Sequence, residues 1–297
     1  MTGFSKRIVG GTIDYLHETA GQRQGPRDQQ ELDGWLTIFV RRCFSGPGSS
    51  RRRARMEAIL ESGLILHTDY SGKGTAEQAH RLLGFEMKKQ GLTLDDFWFV
   101  AWHANDVAPQ CQRILLADEE GAKHVFSGFA GMLPPGDREM MNSLRASVVS
   151  PPAVRERGYL KQREYLRKHG ARLFGPHALA GNCLRHPDAQ CPMQWVDPEG
   201  TPQHCRPLKH NFSGPVCLGW TRMSQSREKL AHPSTEAFYT WLEMMVHSDF
   251  DLVTMENAED FDPMAFVEPM ERDRQHLVVG CCFGLQARIG ITTTHHP

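Results

Sequence analysis

The sequence predicts an α/β protein built on a mostly parallel sheet with helices on both faces. Three observations carry that expectation. From Leu64 onward, short apolar runs alternate with segments of helical spacing. A glycine-rich turn, Tyr70-Ser71-Gly72-Lys73-Gly74-Thr75, separates the first such run from the first such helix. The chain has 297 residues, ample for a sizeable core.

The elements follow in chain order. Residues 1–60 read as an N-terminal extension. Gln22–Gln30 is a polar loop, and Leu36, Phe39 and Val40 suggest a short helix within Leu32–Cys43. Gly46-Pro47-Gly48-Ser49-Ser50 interrupts it. The run Arg51-Arg52-Arg53-Ala54-Arg55 fits a solvated helix start, with phosphate binding as the functional alternative. Strands are expected at Leu64–Thr68, Phe97–Trp102 and His124–Phe126, with helices at Thr75–Lys88 and Val107–Leu116 between them.

Residues 134–210 break this rhythm and read as an inserted subdomain. Pro134-Pro135-Gly136 and Pro151-Pro152 punctuate it. Between Arg155 and Lys168, six basic residues alternate with Tyr159, Leu160, Tyr165 and Leu166. That pattern predicts an amphipathic basic helix, either a nucleic-acid surface or a solvated cover for the sheet. Gly175–Pro207 is loop-like. Its Cys183-X-X-His186, Cys191, His204 and Cys205 have zinc-ligand chemistry, but no tight Cys-X-X-Cys pair is present, so no metal is assigned. Regular structure is expected to resume at Phe212, followed by a helix at Thr235–His247 and strands at Leu252–Met255 and Leu277–Phe283. Cys281 and Cys282 read as core of the last strand. Four segments result: 1–60, 61–133, 134–210 and 211–297.

The formal charge of −1 advertises no global field for nucleic acid or membrane. No apolar run approaches the ~18 residues of a spanning helix. Met1–Arg7 lacks a signal-peptide core. The eight cysteines follow no small-scaffold spacing, so they read as reduced thiols, ligands or catalytic groups. An intracellular protein, nuclear or cytoplasmic, without a membrane partner is expected.

Two stretches carry the chemistry. Gly214-Pro215-Val216-Cys217-Leu218-Gly219-Trp220-Thr221 presents a cysteine in a tight loop, and Leu252-Val253-Thr254-Met255-Glu256-Asn257 ends an apolar strand in a carboxylate. Cys217 is either a buried small hydrophobe or a nucleophile that needs its thiolate form. Glu256 is either a surface charge or a proton donor at a sheet edge. The Tyr70–Thr75 turn is a tight connection or a ligand-binding loop with amide donors at a helix N-terminus. Asp106, after the second strand, is a helix cap or a ribose-binding carboxylate.

These motifs, in this order and followed by Gly284-Leu285-Gln286-Ala287-Arg288, resemble the cytosine-5 methyltransferases. The resemblance covers roughly residues 60–130 and 210–292. It implies a Rossmann-like S-adenosylmethionine-dependent methyltransferase fold, with residues 61–133 as the cofactor-binding half and 211–297 as the catalytic half. It implies a transferase that methylates carbon 5 of cytosine in nucleic acid, DNA favoured over RNA. Cys217 matches the nucleophile that adds to carbon 6 of the base, Glu256 the carboxyl that engages the ring nitrogen and amino group, and Arg288 a supporting cation. Tyr70, Ser71, Gly72, Lys73, Gly74, Thr75, Asp106 and Pro215 match or flank the cofactor site. His103 stands where the family carries a ribose-binding Glu, Gly128 where it carries an adenine-contacting Asp, and Gly290 where it carries a second arginine. Little chain follows Arg288, so a partner supplying target recognition is expected. A catalytically degenerate binding or scaffold protein and a tRNA or other RNA methyltransferase are the alternatives.

Overall fold

The computed structural model describes residues 34, 36–38, 40–41, 44–92, 99–202, 205–215, 219, 228–257, 278–282 and 287–292. Nine strands are present among them: β1 (Leu64–Asp69), β2 (Phe99–Asn105), β3 (His124–Phe126), β4 (Leu179–Ala180), β5 (Cys191–Pro192), β6 (Leu208–Ser213), β7 (Leu252–Asn257), β8 (Val278–Cys282) and β9 (Ala287–Thr292). Seven form one sheet in the order β3-β2-β1-β6-β7-β9-β8. β3, β2, β1, β6 and β7 run parallel, and β9 runs antiparallel to both its neighbours. β4 and β5 form a separate two-stranded hairpin.

The principal helices are α1 (Ser49–Glu61), α2 (Thr75–Lys89), α3 (Pro109–Ala117), α4 (Phe129–Met132), α5 (Pro135–Leu144), α6 (Pro152–Phe174) and α7 (Thr235–His247). The architecture is therefore α/β with a five-stranded parallel centre, compatible with a Rossmann-like fold. The largest apolar cluster joins α4–α7 to β7 through Leu166, Phe174, Trp241, Leu242, Met244 and Val253. A second cluster seats Leu115 of α3 against Ala101 and Ala104 of β2 and Val125 of β3. At Gly170, α6 comes so close to α7 that an added Cβ would stand 2.0 Å from the His247 ring.

Several boundaries differ from expectation, each for a physical reason. Pro135 and Pro152 occupy the first turns of α5 and α6, where a missing N–H costs nothing, so the proline pairs start helices rather than break the chain. β6 begins at Leu208, not at Phe212. Its Lys209, His210 and Asn211 read as polar loop, yet all three are buried. Lys209 sits 3.0 Å from Asp197 and 2.6 Å from Asp249, which compensates its charge. α3 begins at Pro109, two residues after Val107, and β2 extends to Asn105.

Asp69, at the end of β1, is 1% exposed. Its carboxylate accepts from Asn105 Nδ2 of β2 at 3.2 Å and Asn211 Nδ2 of β6 at 2.8 Å, and lies 3.3 Å from His103 Nε2. Asn211 Oδ1 in turn accepts from Ser213 Oγ, whose oxygen accepts from Trp241 Nε1 at 2.9 Å. One carboxylate thus ties the ends of three adjacent strands. Asp69→Ala would leave those donors buried and unpaired, and is expected to cost about 3–5 kcal/mol in urea unfolding, with Asp69→Asn losing less.

The interior also holds neutral histidines. Burial pushes His67 and His80 below the ordinary imidazole range and His210 to about 3. His210 bridges Thr254 Oγ1 at 2.9 Å and His80 Nε2 at 3.3 Å. The unfolded chain protonates these rings near pH 6.5, whereas the folded chain keeps them neutral. Their contribution to stability is thus complete above about pH 6.5 and is lost progressively as the pH falls below it, for His210 down to about 3. Melting temperatures followed by circular dichroism are expected to drop below about pH 6.5, with a shallower slope in His210→Gln.

Candidate ligand and catalytic site at the strand switch point

The sheet order reverses direction between β1 and β6: the chain proceeds from β1 outward to β3, then returns to place β6 on the other side of β1. Ligands of open parallel sheets bind in the crevice outside the strand carboxyl ends at such a point. A cavity of about 590 Å³ lies there, bounded by Tyr70 after β1, Asn105 and Asp106 after β2, Gly128 and Phe129 after β3, and Gly214 after β6. Its far wall comes from α5 and α7, including Arg138, Arg145 and Glu236.

The turn after β1 is fastened to β2. Ser71 N donates to Asn105 O at 3.0 Å, and Asn105 N donates to Ser71 Oγ at 2.8 Å. Gly72 N donates to Asp106 Oδ2 at 2.8 Å. These bonds hold Tyr70 at φ 57°, a left-handed conformation uncommon for a non-glycine residue and concentrated at ligand sites. The Tyr70 ring packs at 5.3 Å from Phe129. Among the described residues, the buried Tyr70 hydroxyl and Asn105 Oδ1 have no hydrogen-bond partner, although both residues face the cavity. Both atoms retain hydrogen-bonding capacity beside the cavity.

Asp106 is fixed from both sides. Its Oδ1 accepts from Ala108 N at 2.8 Å while Oδ2 takes Gly72 N. This is a turn three residues ahead of α3 rather than the helix cap that is one of its two readings; the cap position is Ala108, without a side-chain bond. Each carboxylate oxygen has a further lone pair for a hydroxyl in the cavity. His103, which the resemblance aligns with a ribose-binding Glu, does not line the cavity. It is fully buried within β2, with Nδ1 2.8 Å from Met193 O, and Asp106 is the acid that stands past the strand end. At Gly128, φ is 108° and a Cβ would meet Val107 at 3.6 Å, so the backbone itself favours glycine over the expected Asp.

On the β6 side, Gly214 N donates to Asp69 O at 3.4 Å and Asn257 Nδ2 donates to Pro215 O at 3.2 Å. A Cβ built on Gly214 would lie 4.0 Å from Glu256 Oε2. Glu256 is half-buried, and among the described residues nothing hydrogen-bonds its carboxylate. Arg288 stands opposite Glu256 in the β7–β9 ladder. Cys217, two residues past Pro215, lies outside the described residues.

The structure therefore gathers Tyr70, Asp106, the Gly214-Pro215 segment and Glu256 at one sheet edge. It does not bring the rest of the turn to the cavity: Ser71 is spent on internal bonds, Gly72 on Asp106, and Lys73 and Thr75 are exposed. Asn105, Arg138, Arg145 and Glu236 were not foreseen. Asn105 lay past the expected end of β2, Arg138 and Arg145 belong to an insertion whose first helix the proline pair concealed, and Glu236 lies on the expected helix α7 but carried no motif.

The basic helix α6 packs on α7 with part of its charge committed internally. Arg155 donates to the Ala231, Val148 and Ser150 carbonyls and lies 2.6 Å from Glu228. Arg163 donates to Glu243 at 2.9 Å and covers the Tyr239 ring, and Arg172 pairs with Asp137. Arg157, Lys161, Arg167 and Lys168 face solvent. Among the described residues no helix is long and apolar enough to cross a membrane. Compared with protein families and with curated proteins, the chain matches no family model and no curated sequence.

Beneath the β1–α2 turn, Glu77 is 2% exposed and accepts from Thr68 Oγ1, while its Oε2 has no partner among the described residues. Burial raises its pKa. A raised carboxylate penalises the fold above its folded pKa and not below the unfolded one. Glu77→Gln is therefore expected to raise the melting temperature at neutral pH, with the gain shrinking as the pH falls through the carboxylate range; calorimetry across pH checks it.

Proposed function

We propose that this chain is an S-adenosylmethionine-dependent transferase that methylates carbon 5 of cytosine in nucleic acid, with DNA favoured. The observation that carries the reading is convergence. The turn after β1, the acid after β2, the Gly-Pro segment after β6 and Glu256 at the end of β7 meet at one sheet edge, and β9 enters at that same edge opposite Asn257. They are the segments on which the resemblance to cytosine-5 methyltransferases rests.

The residues present fit the methyl donor. A volume of about 590 Å³ suits a nucleoside-sized ligand. Tyr70 and Phe129 offer an aromatic wall, and Tyr70 Oη, Asn105 Oδ1 and Asp106 offer polar contacts for hydroxyls and ring edges. When bound, S-adenosylmethionine supplies an electrophilic methyl group.

The chain's own groups prepare the base. The Cys217 thiolate adds to carbon 6 of the ring, which places electron density on carbon 5. Glu256 engages the ring nitrogen and amino group and stabilises charge in the adduct. With a methyl group on carbon 5, the adduct would lose the carbon-5 proton to water and expel the Cys217 thiolate, which restores the aromatic ring and the free cysteine. The Asn257–Pro215 bond fastens Pro215, two residues ahead of Cys217, to the end of the Glu256 strand, which supports a reading in which nucleophile and carboxyl act on one ring. A cytosine in a duplex must leave the stack to reach this edge.

Titration calorimetry with S-adenosylmethionine is expected to give a roughly micromolar Kd, weakened roughly tenfold or more in Asp106→Ala. Transfer of labelled methyl to DNA is expected to vanish in Cys217→Ala while cofactor affinity stays unchanged. Transfer to RNA alone would redirect the substrate assignment. Absence of cofactor binding at millimolar concentration would overturn the reading in favour of a binding or scaffold protein.

A further inference from the structure

We propose that His124, Cys183, His186 and Cys191 form a structural zinc site that staples the inserted segment to the sheet edge. Each offers one ligand atom, and all four atoms lie within 4.8 Å of one another. Cys183 Sγ is 3.9 Å from His124 Nδ1 and 3.4 Å from His186 Nδ1, and Cys191 Sγ is 3.5 Å from His186 Nδ1. A tetrahedral ion with Zn–S about 2.3 Å and Zn–N about 2.0–2.1 Å needs ligand–ligand separations of about 3.3–3.8 Å. The cluster is already near that size. Two thiols and two imidazoles are also a donor set suited to zinc.

The local backbone builds the cluster. Asn182, at φ 57°, turns the chain, and Cys183 then bridges Phe126 of β3 while Leu184 N donates to Val125 O at 2.7 Å. The next turn, His186 N to Cys183 O at 3.2 Å, curls the Cys-X-X-His stretch onto one centre. Cys191 arrives on β5, paired with Ala180 of β4. His124 comes from β3 itself, and its ring packs on Trp102 at 4.8 Å. Both thiols are buried and His186 is exposed.

A metal accounts for all four side chains, whereas a Cys183–Cys191 disulfide would account for two. The segment's own regular structure is slight, with β4 and β5 of two residues each, so it is held by tertiary contacts such as those of Arg185 and Gln194 to which a metal would add. Small, loop-rich units of this kind depend on a staple. Four protein ligands close the coordination sphere, so the role is structural rather than catalytic. The site holds β3, whose end continues into the Gly128-Phe129 wall of the cavity. The sequence reading grouped Cys183, His186 and Cys191 with His204 and Cys205. The structure adds His124 to Cys183, His186 and Cys191; Cys205 is exposed and not part of the cluster, and His204 lies outside the described residues.

The full chain, expressed with zinc and freed of loose metal by gel filtration, is expected to carry about one zinc by mass spectrometry. Replacement by cobalt is expected to give the visible bands of a tetrahedral ion together with thiolate charge transfer. His186→Ala removes a ligand at an exposed position, so the fold is retained while zinc affinity falls roughly tenfold or more; His186→Cys restores it. Cys183→Ser and Cys191→Ser are expected to lose the thiolate band. A folded wild-type chain, verified by circular dichroism, that retains no zinc and gives no tetrahedral cobalt spectrum would overturn the assignment. So would thiol titration showing Cys183 and Cys191 joined in a disulfide.

Discussion

One buried carboxylate sets the positions on which the candidate site depends. Asp69 draws Asn105 and His103 of β2 and Asn211 of β6 toward the end of β1. Three of the near walls of the cavity hang one residue beyond that network: Tyr70 follows Asp69, Asp106 follows Asn105, and Gly214 follows Ser213. A hydrogen-bonded charge in a dry interior is directional and costly to disturb, so it fixes strand ends more tightly than apolar contact alone. The same economy explains Asn105. Its amide nitrogen serves the scaffold through Asp69, while its oxygen has no partner among the described residues and borders the cavity.

The apolar elements were legible because their patterns are local. β3 and α7 match the expected spans, and β1, α2 and β7 differ only at their ends. The β6 strand was half hidden because Lys209, His210 and Asn211 look solvated. They are buried because partners far along the chain, Asp249, Thr254 and Asp69, satisfy each of them. Periodicity cannot register such pairings.

The site was legible to the extent that its residues sit at strand ends. Asp106 follows β2 and borders the cavity, whereas His103, which the resemblance alone aligned with a ribose-binding Glu, lies inside a strand that runs on to Asn105. The metal cluster shows the opposite limit. Three of its members cluster in sequence, but His124 precedes Cys183 by 59 positions and reads as an ordinary strand residue. The antiparallel bridge between Phe126 and Cys183, with the Leu184 N–Val125 O bond beside it, brings them together.

The contact at Gly170 has a consequence for the cavity, although the two are at opposite ends of α7. Helix α7 is a rod of roughly 20 Å, with His247 at one tip and Glu236, Ala237 and Thr240 against the cavity near the other. A missing side chain at Gly170 lets that far tip settle onto α6. Any larger residue there would act as a wedge beneath a lever, tilting the near tip relative to the sheet. The bore of the ligand chamber is thus set in part by an empty space outside its walls, and a substitution at that distance would register as altered occupancy of the chamber rather than as a local packing defect.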